Sequence, residues 1–476
     1  MNITKLLLAC FLFSACTNSE QSSYQPLASC YMLERGKTNP EILGLWKSIG
    51  NGYLLEARED SLLLYSYTQS FCYKEKNDYL EGLLNSQSSF RLLHDTLQLY
   101  LTDYGEGTEN LQTKKDFIRI ESLPSPCLTF SEMVQLTPKD QFALYRETME
   151  ENYAFQQRRE LDWDKLFSSY SDSLKADDSK LFQYMGAIAT ACKDQHTKII
   201  NTEGQSLQYR VTPSALIVQE TFEEQNEIKE LNQYFNHFFS NNYRLIADSI
   251  LLGKGKKVLN GKLEWGKTQD NIGYLHIHSF AGFLGREFSR MQQIDSIRKH
   301  MKIIIDSLQD TRAMIIDISF NFGGYDASAL TIASFFTEEI HKAYDSQVFY
   351  DGSYHTEDQV RIYPSKTARY TKDVYLLSTD ISRSAAEGFA MMMDALPNVQ
   401  IVGTPSLGIL SGMLGKSIHD YYVTISNQKL LNPAGEYFEA NGVAVDIPME
   451  VFKKENVFRG HLEAIKAIGQ MSKENE

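Results

Sequence analysis

Ala313-Met314-Ile315-Ile316-Asp317-Ile318-Ser319-Phe320-Asn321-Phe322-Gly323-Gly324 decides how the second half of this chain is read. Its first six residues form a strand-length run, apolar at every position but Asp317. A strand covered on both faces reads this way, because neither side alternates with water. Working outward, Ile272-Gly273-Tyr274-Leu275-His276-Ile277 reads as an upstream strand, and Phe288 to Leu308 as an amphipathic helix. Downstream come a helix through Leu330 and Phe335, the strand Val374-Tyr375-Leu376-Leu377, a helix from Ser384 to Leu396, and the strand Val399-Gln400-Ile401-Val402. Strands alternating with helices predict βαβ units, a largely parallel sheet and right-handed crossovers. Ligands of such sheets bind beyond the carboxyl ends of strands, which selects two loops, Ser319 to Tyr325 and Ser378 to Glu387.

The rest of the chain reads differently. At 476 residues it exceeds one hydrophobic core. Residues 24–130 carry short strands and turns: Trp46 to Leu55 passes through Gly50-Asn51-Gly52, Ser61 to Tyr67 is apolar and β-prone, and Leu97 to Leu101 alternates. Residues 131–205 form a helical segment. Thr137-Pro138 is an N-cap followed by a first-turn proline, and further helices begin at Asp162 and Asp178. His196 lies in the turn after the third, ahead of a strand through Ile199-Ile200. Residues 206–265 read as a mixed linker, with a strand at Ile217-Val218 and a polar helix from Glu223 to Ser240. The α/β core occupies 266–465.

Ser384 opens a helix directly after a strand. Free amides and the positive dipole end at such a site stabilise a developing oxyanion. Ser384-Ala385-Ala386-Glu387 is equally a capping box, whose only task is to satisfy those amides. Paired Gly323-Gly324 permit positive φ and let backbone amides approach a carbonyl, so Gly323 or Gly324 and Ala385 are the candidate donors. A serine hydroxyl needs a base and the base an orienting carboxylate; His196 and Glu439 supply those chemistries. Spacing alone does not bring them together.

Three segments, Asp317 to Gly324, Ser382-Arg383-Ser384-Ala385-Ala386-Glu387, and Ile401-Val402-Gly403-Thr404-Pro405-Ser406-Leu407-Gly408, resemble in that order the tail-specific, or carboxyl-terminal processing, protease family. Glu151 to Phe155, Asp162-Trp163 and Lys193 to Thr197 resemble the helical segment of its tricorn-like branch. The resemblance implies an α/β fold with a crotonase/ClpP-like βαβ core, behind a helical segment and a small N-terminal β-domain. Members with a Ser/Lys dyad carry a lysine where this chain has Ile409, and Lys416 does not align with it. The tricorn-like branch uses His and Glu, and its glutamate motif resembles Phe438 to Asp446. The resemblance therefore implies His196, Ser384 and Glu439 as catalytic, with Gln195 where a polar helper often stands. Ser319 replaces the usual arginine and Val445 a proline. The implied activity is serine-type hydrolysis of peptide or protein substrates without metal or cofactor. A catalytically weak envelope lipoprotein that binds peptides is the rival reading, and an esterase a third.

Lys5, the apolar Leu6 to Phe13 and small Ser14-Ala15 before Cys16 resemble a bacterial lipoprotein signal, with residues 1–23 as signal and linker and Cys16 as the acylated residue. The apolar run is too short to span a bilayer. The expected location is therefore the cell envelope, exported and held to a membrane by lipid. Among Cys30, Cys72 and Cys127 any two can pair, and Cys192 reads as a buried hydrophobe. A net charge of −14 without a basic stripe argues against nucleic-acid binding, and oligomeric state is not encoded legibly.

Overall fold

The computed structural model describes residues 32–34, 36–75, 89–100, 114–128 and 136–474. Cys16, the signal segment and Cys30 lie outside them.

The N-terminal region is an antiparallel seven-stranded sheet, ordered Cys72–Lys74, Ser61–Tyr67, Tyr53–Arg58, Gly44–Ser48, Lys114–Ile120, Thr96–Tyr100, Ser89–Leu93. Trp46 pairs with Leu55 across the Gly50-Asn51-Gly52 turn, and Trp46, Leu55, Phe90, Leu97 and Phe117 bury against one another. Cys72 is bonded to Cys127, with their Cα atoms 5.0 Å apart. Cys192 is free and buried.

Thr137 caps the helix Pro138–Asn152 by accepting the Asp140 N–H, and Asp162 caps Trp163–Ala176. The expected strand at Ile217-Val218 is instead part of the helix Pro213–Glu223. A short apolar run does not distinguish the two; the Thr212 side chain accepting the Ala215 N–H at 3.1 Å and Pro213 in the first turn decide it. The following helix is Leu231–Ser249, later than the expected Glu223 to Ser240.

The central sheet has seven strands, ordered Lys256–Val258, Leu263–Lys267, Gly273–Ile277, Met314–Asp317, Val374–Ser378, Val399–Gly403, Ile447–Pro448. The first two pairings are antiparallel and the other four parallel. Part of the stretch read as a linker thus extends the core sheet at one edge. Met314 and Ile316 face helices Arg290–Leu308, Asp326–Ala333 and Ala385–Asp394, whereas Ile315 faces Leu231–Ser249 and Gly460–Glu474. Helices on both faces explain the apolar run at 313–316.

A separate antiparallel sheet brings the helical segment to the core. Its order is Ser206–Gln208, Lys198–Ile200, Tyr421–Ser426, Met413–Ile418. Ile199 pairs with Val423, so residue 196 is carried to the hairpin that follows the loop after Gly403.

Candidate active site

Loops at the carboxyl ends of two adjacent parallel strands, Met314–Asp317 and Val374–Ser378, are laced together. Thr379 Oγ1 donates to the Ser319 carbonyl at 2.6 Å and Ser382 Oγ to the Ile318 carbonyl at 2.8 Å. The Arg383 N–H reaches the Asn321 carbonyl at 3.1 Å. Between these ties Ser384 takes φ 59° and ψ −127°, a conformation uncommon for a side-chain-bearing residue. The helix Ala385–Asp394 starts immediately after it.

Gly323 lies against this turn: a Cβ there would stand 2.7 Å from Ser384 Cβ and 3.0 Å from the Ala385 nitrogen. Only glycine allows that approach. The Gly323 N–H, however, donates to Asn321 Oδ1 at 2.8 Å, which removes it from the expected oxyanion donors. Among the described residues the Gly324 and Ala385 N–H groups have no partner. Gly324, at φ 147°, packs on the Phe280–Ala281 peptide, where any Cβ would collide with backbone.

Glu387 is more than a cap. Its buried carboxylate accepts from Ser384 N at 3.0 Å, Ser406 Oγ at 2.6 Å, Gly408 N at 2.6 Å and Ile409 N at 2.8 Å. Burial pushes its carboxyl up to about 7 against the pull of these donors. The carboxylate thereby fastens the serine turn to the 406–409 loop, and Ser384 N also reaches the Ile409 carbonyl at 3.1 Å.

The same loop holds the other two candidates. His196 Nδ1 bonds the Ser411 carbonyl at 2.7 Å. A carbonyl only accepts, so Nδ1 carries hydrogen and the neutral ring keeps its lone pair on Nε2. Buried Asp194 accepts the His196 N–H at 2.8 Å and Thr197 Oγ1 at 3.0 Å, and Thr424 Oγ1 donates to the His196 carbonyl. Burial lowers the imidazole pKa; the charge of Asp194 opposes this, while Lys198 and Arg383 add to it. Glu439 Oε2 accepts from Leu410 N at 2.9 Å and Ser411 N at 3.1 Å, and its Oε1 from Arg159 at 2.8 Å. Burial and Asp194 push the Glu439 carboxyl up, to about 8, while Arg159 pulls it down.

Ser384, His196 and Glu439 thus converge on one stretch, Ile409 to Ser411, and no hydrogen bond joins any two of them. The expected Glu439–imidazole bond is replaced by a two-step link. Glu439 holds the Ser411 N–H, and the Ser411 carbonyl holds His196. Arg159 braces this arrangement from the helical segment through Glu439, the Gly408 carbonyl at 3.2 Å and the Lys193 carbonyl at 2.7 Å. Gln195 Nε2 is buried and has no partner among the described residues.

Residues 271–449 match peptidase family S41. That stretch is an S41-family region within the second half of the chain. A candidate peptidase from Parabacteroides merdae ATCC 43184 superimposes with a TM-score of 0.56 at 22% identity, over 71% of this chain and 97% of that one. The s499a mutant of CPAF does so with 0.50 at 11% identity, over 71% and 97%. At these identities the likeness is one of fold.

Lys416 lies away from the S41 region's serine turn. It is buried against the N-terminal sheet, with Nζ 2.9 Å from the Gly52 carbonyl, 3.2 Å from Ser66 Oγ and 3.7 Å from the Tyr53 ring centre. Burial pushes its ammonium down to about 7, opposed by Glu75 and Glu151.

A second serine–histidine–carboxylate group escaped sequence reasoning. Asp317 Oδ2 accepts from Tyr274 at 2.6 Å and pairs with His461 Nε2 at 2.7 Å, while Oδ1 accepts Ser319 N at 3.0 Å and Ser319 Oγ at 2.6 Å. Burial opposes the Asp317 charge, but the His461 and His276 imidazoles outweigh it and hold the carboxyl far below the usual range. His461 sits on the C-terminal helix, and nothing in its local sequence sets it apart from a surface histidine. Among the described residues no cluster fit to hold a metal ion occurs.

Proposed function

We propose that this chain is a serine peptidase that hydrolyses peptide bonds through an acyl-enzyme on Ser384. In this reading His196 Nε2 takes the proton of Ser384 Oγ as the alkoxide attacks the substrate carbonyl. The carbonyl oxygen, now negative, is received by the Gly324 and Ala385 N–H groups. His196 returns the proton to the leaving amine, and a water deprotonated by the same ring then hydrolyses the ester. Glu439 acts at one remove, fixing the Ser411 peptide that sets the imidazole tautomer. Gln195 is a further donor for the substrate or the oxyanion.

The observation that supports this reading best is a positive-φ serine beside two unpaired amides, with Gly323 pressed against it. A residue that only capped the helix would need neither the unfavourable backbone nor the open donors. Apo enzymes commonly show long catalytic contacts that close on substrate, which accommodates the missing Ser384–His196 bond. The test is fluorophosphonate labelling with peptide-library digestion. Wild type should label and cleave, and Ser384→Ala should do neither; equal labelling of the two would end the proposal. The rival, an inactive peptide binder, draws on that missing bond. It requires saturable peptide affinity with no cleavage products from wild type.

We propose further that the protein is exported and lipid-anchored at Cys16, on the strength of the residue 5–16 pattern. Among the described residues no helix is long and apolar enough to cross a membrane. Mass spectrometry of the mature N-terminus checks this: a diacylglyceryl-modified Cys16 is expected, and an unmodified N-terminus beyond residue 16 would refute it.

A further inference from the structure

Arg383 immediately precedes the candidate nucleophile, and among the described residues its guanidinium has no acceptor. Its backbone N–H is used by Asn321, and its guanidinium carbon lies 4.3 Å from the ring centre of Phe322, which is 49% exposed. Among the described residues no carboxylate or carbonyl hydrogen-bonds or ion-pairs with its side chain. Glu387, the carboxylate whose charge it feels, already has both oxygens filled by four donors. A half-buried guanidinium loses water on most sides and gains strong, often bidentate, hydrogen bonds from a carboxylate. The Phe322 ring covers one side of the guanidinium and offers it no hydrogen-bond acceptor.

The surroundings favour an anion at this mouth. Both Arg383 and Lys198 are near enough to His196 to disfavour its protonation, and Lys198 has no ion-pair partner among the described residues. Asp194 is the acidic group whose charge opposes them, but its two oxygens are taken by His196 N–H and Thr197 Oγ1. The protein carries a net charge of −14, yet these two cations beside the candidate site stand uncompensated.

We infer that Arg383 is a specificity-determining residue that takes a carboxylate of the bound peptide next to the scissile bond. This rests on the peptidase reading of the same site. The carboxylate belongs either to an acidic side chain or to a free C-terminus, and the two share the chemistry that Arg383 recognises.

The experiment compares fluorogenic peptides that differ only by Glu or Gln at positions flanking the cleaved bond, and peptides ending in a free acid or an amide. Wild type should favour the carboxylate member of at least one pair by about 10- to 100-fold in kcat/KM. The pair that discriminates identifies the source. Arg383→Gln should abolish the preference and Arg383→Glu should invert it. The wild-type preference should also shrink as salt is raised, a readout independent of whether either variant folds. In parallel, fluorescence anisotropy of the same peptides on Ser384→Ala reads binding without turnover. Carboxylate-selective binding with no cleavage by wild type would sink the peptidase reading and leave the Arg383 subsite standing. Cleavage indifferent to charge, or a preference that survives in Arg383→Gln, would overturn the subsite and leave the peptidase reading intact.

Discussion

Two groups of serine, histidine and carboxylate lie among the described residues, and they differ in whether their members bond one another and in how far they are dehydrated. In Ser319–His461–Asp317 the carboxylate is filled by Tyr274, Ser319 and His461, and all three residues are fully buried. In Ser384–His196–Glu439 each member is held by backbone of the 409–411 stretch, no two members bond each other, and two amides beside the serine are open. The Asp317 carboxylate is dehydrated and has both oxygens filled, so it has nothing left for a substrate, although His461 Nδ1 is buried without a partner among the described residues. Strain, open donors and access are what a reacting site requires. Residue type alone would rank the two groups as equals.

The strongest way to break this contrast is to exchange the serines. Ser384→Ala should lower peptide turnover by about 10³-fold or more, whereas Ser319→Ala should retain fluorophosphonate labelling and lose about 1–3 kcal/mol of stability from the orphaned partners. Labelling lost from Ser319→Ala and kept in Ser384→Ala would reverse the assignment. Next in size are the histidines. His461→Leu strands the buried Asp317 charge and should cost about 3–5 kcal/mol in denaturant unfolding, while His196→Leu should cost about 1 kcal/mol and remove most turnover. Equal stability losses would erase the distinction. Reducing the Cys72–Cys127 bond, which touches neither group, should cost about 2–4 kcal/mol and leave Ser384 labelling unchanged in the fraction still folded.

The smallest expected effect is on the pH profile. Burial, Lys198 and Arg383 lower the His196 pKa, so the ring is neutral at lower pH than an ordinary histidine. The acidic limb of kcat/KM should therefore rise with pH through a value below 6.5. Removing a nearby cation makes protonation easier, so Arg383→Gln should move that limb upward by a fraction of a unit. A limb at or above 6.5 in wild type, or a downward shift in the variant, would contradict the electrostatics described for the imidazole.

Much of the fold was legible because its signals are local. The apolar run that begins at Ala313, the Thr137-Pro138 start and the Gly50-Asn51-Gly52 turn each state a backbone preference within a few residues. Misreadings fell where a local signal is degenerate: Leu216-Ile217-Val218 suits strand or helix, and a cap upstream chose helix. Lys256–Val258, at the edge, and Leu263–Lys267 beside it were missed because they are short and lie on the antiparallel side of the sheet, away from the 313–316 run. Glu387 was read as a cap because its partners, Ser406, Gly408 and Ile409, lie about twenty residues away and are joined to it only by the fold. His461 was invisible for the same reason.

By itself the sequence determined the order of strands and helices and the residue types able to do nucleophilic chemistry, since both follow from periodicity and side-chain identity over short spans. Only the tertiary structure decided which histidine meets which loop. The pairing of Ile199 with Val423 moves His196 across more than two hundred residues of chain, and the hydrogen bonds around Ile409 to Ser411 select the partners of Glu439. Those choices belong to long-range packing and dehydration, which no stretch of sequence carries alone.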